Sequence, residues 1–575
     1  MSFTRRAFFY LLLISAFAPA CATVKPVPPP PTVGVGKDYL PAGPMAGAYY
    51  HFLLGQLYLQ SGSTDQAASE YRQALEKDKT SAYLHTHLAA LYLKKGLPDK
   101  ALQEAEEAIR SDPKSLPALL LLGGLYVSLN QREKAIQAYQ TAVKIEPKSQ
   151  EAHLFLGTLY AEAKDYDKAI FHLQALVDID SRSLMGHYYL ARVYAEMKRF
   201  EEAKSQYQLA LSIKPHFEPA LLDLALIHEI QQENEKAIQI YKDILTLNPS
   251  NAEAHERLGQ VYIRQKKLGE ALNEFQTVEK LTINNSEVRT KIGLIYFEQG
   301  RLDDSIAQFA LVLSSQPEND RVRYYLATAY EEKKEFGRAL EEFRRIPLTS
   351  SLYVDSQIHL AYIYEKQNQV DQAILALKEA IKAKPDNADL YRLLASLYEK
   401  LNQFAEGIRV LKTALEFAPK DDKIYFNLGV LYDKAGDWQE CIGQMRKVLQ
   451  INPDHAQALN YIGYTYAEKG INLDEAENLI KRALELKPDD GYITDSLGWV
   501  YFKKGETEKA VAELEKAHRL TPDDPVIAEH LGDVYAKSNL SEKAIRMYEL
   551  AIKLDPKKTE LREKIKKLQR EKKPR

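Results

Sequence analysis

The chain has little cysteine, almost no net charge and no long apolar run after its first residues, and each shortage removes a class of explanation. Two cysteines in 575 residues, Cys21 and Cys441, cannot form the disulfide framework that holds small secreted domains together. A balance of 77 basic against 80 acidic residues gives a formal net charge of −3, so no broad basic surface recruits nucleic acid by counterion release. Beyond residue 21 no apolar stretch is long enough to cross a bilayer. GxSxG, HExxH, a phosphate-cradling GxxxxGKS/T loop and a GxGxxG set in a strand–turn–helix pattern are also missing. The expectation is a non-enzymatic protein with no cofactor.

What the chain does have is tyrosine at a fixed interval. Steps of 34 residues from Tyr58 reach Tyr92, Tyr126, Tyr160, Tyr194, His228, Tyr262, Tyr296, Tyr330, Tyr364, Tyr398, Tyr432 and Tyr466. One extra residue then shifts the landmark to Tyr501 and Tyr535, which makes fifteen repeats with a single substitution at His228. A fixed period of this size marks a stacked array with one continuous core, and it overrides the several domains that length alone suggests. The other slots keep the same period. Gly or Ala stands three residues before the landmark in all fifteen repeats, from Gly55, Ala89 and Gly123 to Gly532. A small residue stands nine after it, as in Ala67, Ser305, Gly407, Cys441 and Ala544, and four further on comes a large filler such as Tyr71, Tyr139, Tyr207, Phe275 or Leu514. Gly costs about 1 kcal/mol in a helix interior relative to Ala, so its recurrence implies close approach of a neighbouring helix. Pro113, Pro147, Pro215, Pro249, Pro453 and Pro522 are among the prolines that stop the second helix, and a following Asp, Asn or Ser is placed to cap the next.

This grammar resembles the tetratricopeptide repeat, from Ala48 to about Lys558. The resemblance implies an all-α, right-handed superhelical solenoid of about fifteen helix pairs, each burying its apolar stripe against its neighbours. The expected organisation is a signal peptide over 1–20, a Pro/Gly-rich tether over 21–47, repeat sub-arrays over 48–346 and 352–558, an irregular break over 347–351, and a capping helix with basic tail over 559–575. Pro347 carries the break, because it falls inside an expected second helix and should end it near Ile346. Gly470-Ile471-Asn472-Leu473 holds the one-residue insertion, and Leu561, Ile565 and Leu568 form the stripe that covers the last repeat.

The first twenty residues have a charged start at Arg5 and Arg6, a short apolar run from Ala7 to Phe17, and small residues at Ala18 and Ala20. Cys21 follows, and the stretch resembles a bacterial lipoprotein signal, which implies that Cys21 is lipidated and anchors the chain to a membrane. Ala18 and Pro19 depart from that pattern, so plain secretion through the same site is the alternative, and Arg5-Arg6 also resembles a twin-arginine signal. Ala22 after the cysteine favours the outer membrane by analogy with lipoprotein sorting. Pro26, Pro28 to Pro31, Pro41 and Pro44 favour an extended spacer of about 3.1 Å per residue.

The histidines follow the repeat rather than a metal. His51, His85, His153, His187 and His255 all stand seven residues before a landmark and read as packing residues. His85 and His87 form the nearest approach to a ligand pair, with no third ligand, so no metal is expected. Cys441 occupies a small slot and reads as a buried, inert thiol.

By the family resemblance, the first helices line the concave face, and their inward slots give two candidate partner-binding sites. Near the N-terminus, Tyr49, Phe52 and Tyr83 head an apolar stripe that includes Leu59, Leu93, Leu120, Val127 and Leu154. It suits an amphipathic or extended segment, or packing of the array on itself or on a second copy. Near the C-terminus, Asn460, Tyr464, Tyr492, Asp495, Trp499, Phe502 and Lys503 have the composition of an interface hot spot, and this is the preferred site. Gly470 to Tyr535 further resembles the C-terminal repeats of Gram-negative tetratricopeptide lipoproteins. That likeness implies a lipid-anchored scaffold at the periplasmic face of the outer membrane, with protein partners such as a carboxyl-terminal processing protease or envelope assembly machinery. The alternative is a subunit that guides an exported glycan along Tyr464, Trp499 and Phe502.

Overall fold

The computed structural model describes residues 44–571, and among them all regular structure is helical, in 31 helices with no strand. The leader, Cys21 and the tether up to residue 43 lie outside the described residues. The chain divides into two compact units between Asn285 and Ser286. The described part of the first holds seven helix pairs, from Pro44–Gln60 with Thr64–Lys77 to Ala252–Arg264 with Leu268–Leu281. The second holds eight pairs, from Ser286–Glu298 with Leu302–Ser315 to Pro525–Lys537 with Ser541–Leu554, and then the closing helix Leu561–Glu571. Fifteen pairs match the fifteen landmarks.

The ends of these helices follow from single residues. Ser149, Asn251, Asp421, Asp490 and Asp524 each accept hydrogen bonds from backbone N–H groups of the helix they precede, which satisfies donors that a helix start leaves open. Between the two helices of every repeat, the residue four after the landmark has positive φ, in Gly at six repeats and Asn at four, including Gly62, Gly96, Asn130 and Asn368. These types enter the left-handed region with little or no steric cost. Repeat 13 absorbs its extra residue by placing both Gly470 and Asn472 there, with φ of 67° and 47°.

The core is a row of knobs in gaps. A Cβ on Gly123 would lie 2.6 Å from the ring of Tyr139, and one on Gly532 would lie 2.6 Å from that of Tyr548, so the absent side chain is what seats the filler. The filler hydroxyls divide into two classes. Tyr548 donates to Asp533 at 2.6 Å, whereas the Tyr139 hydroxyl is buried with no hydrogen-bond partner. Burial raises the Tyr139 pKa. An unpaired buried hydroxyl costs stability, and removing it from both sides of the balance returns that cost. Tyr139→Phe is therefore expected to stabilise the protein by about 1 kcal/mol, while Tyr548→Phe destabilises it by a similar amount. Urea unfolding of the two variants checks the difference in sign.

The landmark tyrosines also tie successive repeats. Tyr126 donates to Glu106 at 3.0 Å, Gln140 donates to Tyr160 at 2.7 Å, Arg446 to Tyr466 at 3.0 Å, and Tyr535 to Glu515 at 2.5 Å. In each case the partner stands twenty residues earlier, on the second helix of the preceding repeat. A Lys eight residues after the landmark roofs the ring, as Lys134 over Tyr126 at 5.3 Å and Lys543 over Tyr535 at 5.0 Å. A phenylalanine could fill the volume but would lose the tie.

At Pro347 the second helix of repeat 9 is short, Phe336–Arg344, and ends two residues earlier than the sequence suggests. The core continues nonetheless, because Phe343 and Ile346 pack in one cluster with Leu360, Ala361 and Tyr364 of the next repeat. At the C-terminal end, Leu561 and Leu568 are buried and Ile565 packs against the same core.

Candidate protein-binding surfaces

The C-terminal candidate is built on the first helices of repeats 13 and 14, Ala456–Lys469 and Gly491–Lys504. Asp490 caps the second of these, accepting from the backbone N–H groups of Tyr492 and Ile493. Packing against the helices on either side places Trp499 and Asp495 inside the protein. Trp499 is 7% exposed, its indole N–H donates to Glu468, and its ring stacks with Phe502 at 4.9 Å and with His530 at 4.0 Å. Asp495 is buried and binds the Nδ1 of His530 at 2.9 Å. These two residues are therefore not free contact points, which corrects the expectation that they present themselves to a partner: they form the base beneath the surface. Tyr492 is 58% exposed and Lys503 is exposed above the Trp499 ring at 5.0 Å. Phe502 is half-buried, with Lys537 at 4.9 Å over its ring.

Tyr464 and Asn460 are half-buried. Burial, followed by the nearby carboxylates of Glu468 and Asp495, raises the Tyr464 pKa, so its hydroxyl stays a neutral donor. Asn460 keeps a buried side-chain oxygen without a partner. Further along the same face, burial opposes ionisation of Glu529, but Lys558 and Lys564 hold its pKa below the ordinary carboxylate value. Sequence reasoning missed His530, which joins Asp495, Trp499 and Tyr464 into one block. Its slot, five residues before Tyr535, also holds His87 and His359 in two other repeats, and that recurrence is the signal that could have found it.

The N-terminal candidate is a ladder of rings. Phe52 stacks on the filler Tyr71 at 5.7 Å and meets Tyr83 and His87 edge-on, both at 5.3 Å. Tyr49 and Tyr83 are exposed and Phe52 is half-buried beneath them.

The histidine slot has a definite role in the stack. His153 Nε2–H donates to the Pro147 carbonyl at 3.1 Å, and His187 and His255 make the same bond to Ser181 and Pro249. Their Nδ1 atoms face the second helix of their own repeat, His187 on Gln206 and His255 on Glu274. Each ring thus clips a repeat to the carbonyl that ends the preceding one. His85 is held likewise by Glu104 and Lys79, while His87 Nδ1 turns to the Tyr83 carbonyl, so the pair does not converge. Among the described residues no group of three or more His, Cys, Asp or Glu is arranged to hold a metal ion. Cys441 is fully buried, and burial pushes its thiol up to about 12. Among the described residues, no helix is long and apolar enough to cross a membrane.

Comparison with known proteins agrees with this geometry. Sequence models described as tetratricopeptide repeat match residues 93–159, 126–185, 160–225, 230–294 and 364–429, and others of the same description match 52–115, 290–351, 422–455 and 528–558. A further TPR repeat model matches 498–539. No curated protein matches the chain. Among solved structures, the Naa15/Naa10 complex bound to HypK-THB aligns with 14% identity over 91% of this chain and 96% of that one, with a TM-score of 0.36. The Cut9 and Hcn1 hetero-tetramer of the APC/C aligns with 15% identity over 84% and 95%, at 0.35. A tetratricopeptide repeat protein from Parabacteroides merdae aligns with 19% identity over 43% of this chain and 98% of its own, at 0.35. Matched over most of residues 52–558 and built of the helix pairs those matches imply, this chain belongs to the tetratricopeptide repeat family, whose fold is a scaffold for protein interaction.

Proposed function

We propose that the protein is a non-enzymatic, lipid-anchored scaffold that holds protein partners in the bacterial cell envelope. The observation that carries this reading is the rim of Tyr492, Phe502 and Lys503 over a rigid buried base of Trp499, Asp495 and His530. Aromatic and cationic side chains held on a packed foundation lose little freedom when a partner binds, which is how a few residues come to dominate an interface. The anchor rests on Cys21 behind its signal-like leader. The partner class is an envelope protein, a carboxyl-terminal processing protease or an assembly factor in the reading taken from the resemblance. The glycan alternative is less well supported, because Trp499 is only 7% exposed and its ring already meets His530, Phe502 and Lys503, which leaves little open platform for a sugar.

The test pairs Tyr492→Ala with Lys503→Glu, both at exposed positions, so the fold should persist. Proteins crosslinked to the chain in its native envelope are then recovered with wild type and variant. A specific partner whose recovery falls at least about tenfold in the variant is expected, equivalent to the loss of about 1.4 kcal/mol. Equal recovery, or no specific partner at all, contradicts the reading. Cys21→Ser should separately abolish incorporation of labelled fatty acid and release the chain from the membrane fraction.

A further inference from the structure

The first helix of the array is almost wholly apolar, with only His51, Gln56 and Gln60 as polar side chains apart from its tyrosine hydroxyls. Pro44–Gln60 contains no Asp, Glu, Lys or Arg. A helix of that kind is ordinarily buried, as Leu116–Ser128 is in repeat 3. Yet Met45, Tyr49, Tyr50, Leu53 and Leu57 are exposed. The exposure at two of these slots departs from every other repeat. The residue just before the landmark is buried in all fourteen later repeats, from Leu91 and Leu125 to Val500 and Val534, whereas Leu57 is 53% exposed. The residue eight before the landmark is likewise buried in all fourteen, from Leu84 to Ile527, whereas Tyr50 is 38% exposed. In repeats 2 to 7 the second helix of the preceding repeat packs on the first helix that carries these slots. Repeat 1 has the same apolar residues and nothing described before it to cover them.

We propose that this face is the interface of a homodimer, in which two copies meet through helix Pro44–Gln60 about a twofold axis. Three observations favour a second copy as the occupant. The face carries no charge, so it meets its own image without like-charge repulsion, as an isologous contact requires. Its five exposed side chains, doubled, offer on the order of 1,000 Å² of apolar surface, the lower bound for a specific interface. The C-terminal end of the chain is already closed by Leu561–Glu571, whose apolar stripe lies on the last repeat, so the contact is head-to-head and closed rather than a head-to-tail filament.

The experiment measures mass in solution by light scattering at tens of micromolar, on the full chain carrying Cys21→Ser to prevent acylation. The expected mass is that of two chains, falling to one in Leu53→Glu/Leu57→Glu. Both substituted side chains are already exposed, so circular dichroism of this variant should match the parent. A monomeric parent overturns the proposal, and so does a dimer that survives the double substitution. Hydrogen exchange then assigns the face: protection of residues 44–60 in a monomer gives it to the chain's own leader, and the lack of protection gives it to another protein.

Discussion

Gly498→Leu is expected to cost about 3 kcal/mol and to loosen the C-terminal repeats first. The position looks permissive, since leucine favours a helix over glycine by nearly 1 kcal/mol. The packing decides otherwise. A Cβ at Gly498 would lie 2.6 Å from the Leu514 side chain and 3.2 Å from its backbone nitrogen, and Leu514 is itself fully buried. The side chain could yield only into a filled core, and the backbone not at all, so overpacking outweighs propensity. Guanidinium unfolding followed by circular dichroism gives the magnitude. A variant as stable as wild type would mean that the small slot is not the gap in which the filler sits.

Asp495→Ala is the second large effect, again about 3 kcal/mol. Asp495 and His530 are both buried and bonded at 2.9 Å, and the imidazole also stacks on Trp499. Removing the carboxylate leaves a buried ring nitrogen without its partner, and truncating one member of such a pair costs more than the intact pair contributes. Asp495→Ala/His530→Phe removes both polar groups and keeps a ring on Trp499, so it should recover most of the loss. Tryptophan fluorescence reports the site directly, because Trp499 and Trp438 are the two indoles in the chain. If the single and double variants are equally unstable, the pair is not the structural unit described.

The fold was legible because each of its causes repeats. Tyrosine, the small slot and the filler recur with one period, and the structure supplies a helix pair for every landmark. Pro347 announced a short helix through its missing N–H and its ring, and Phe336–Arg344 is that helix. The positive-φ slot four residues after the landmark was also within reach, since Gly62, Gly96, Gly300, Gly436 and Gly505 share it with four asparagines.

The candidate site was legible in part, because period alone fixes which face a residue occupies but not how deep it sits. Trp499 and Tyr492 share that face, yet Trp499 is drawn inward by Glu468 of one neighbouring repeat and His530 of the other, while Tyr492 is left outside. Those partners lie 31 residues away on each side of Trp499, so the depth of the ring depends on residues outside its own repeat. The landmark hydroxyl tie was hidden for the same reason: Glu106, Gln140, Arg446 and Glu515 share a slot but not a chemical type.

The central claim is that stability accumulates between neighbouring repeats, so damage in one repeat spreads only as far as its neighbours. Hydrogen exchange along the Gly498→Leu chain tests it most directly. The account predicts lost protection in helices Ala456–Lys469 through Leu561–Glu571 and wild-type protection in residues 82–281. A uniform loss across all the helices would show a single cooperative domain and contradict it.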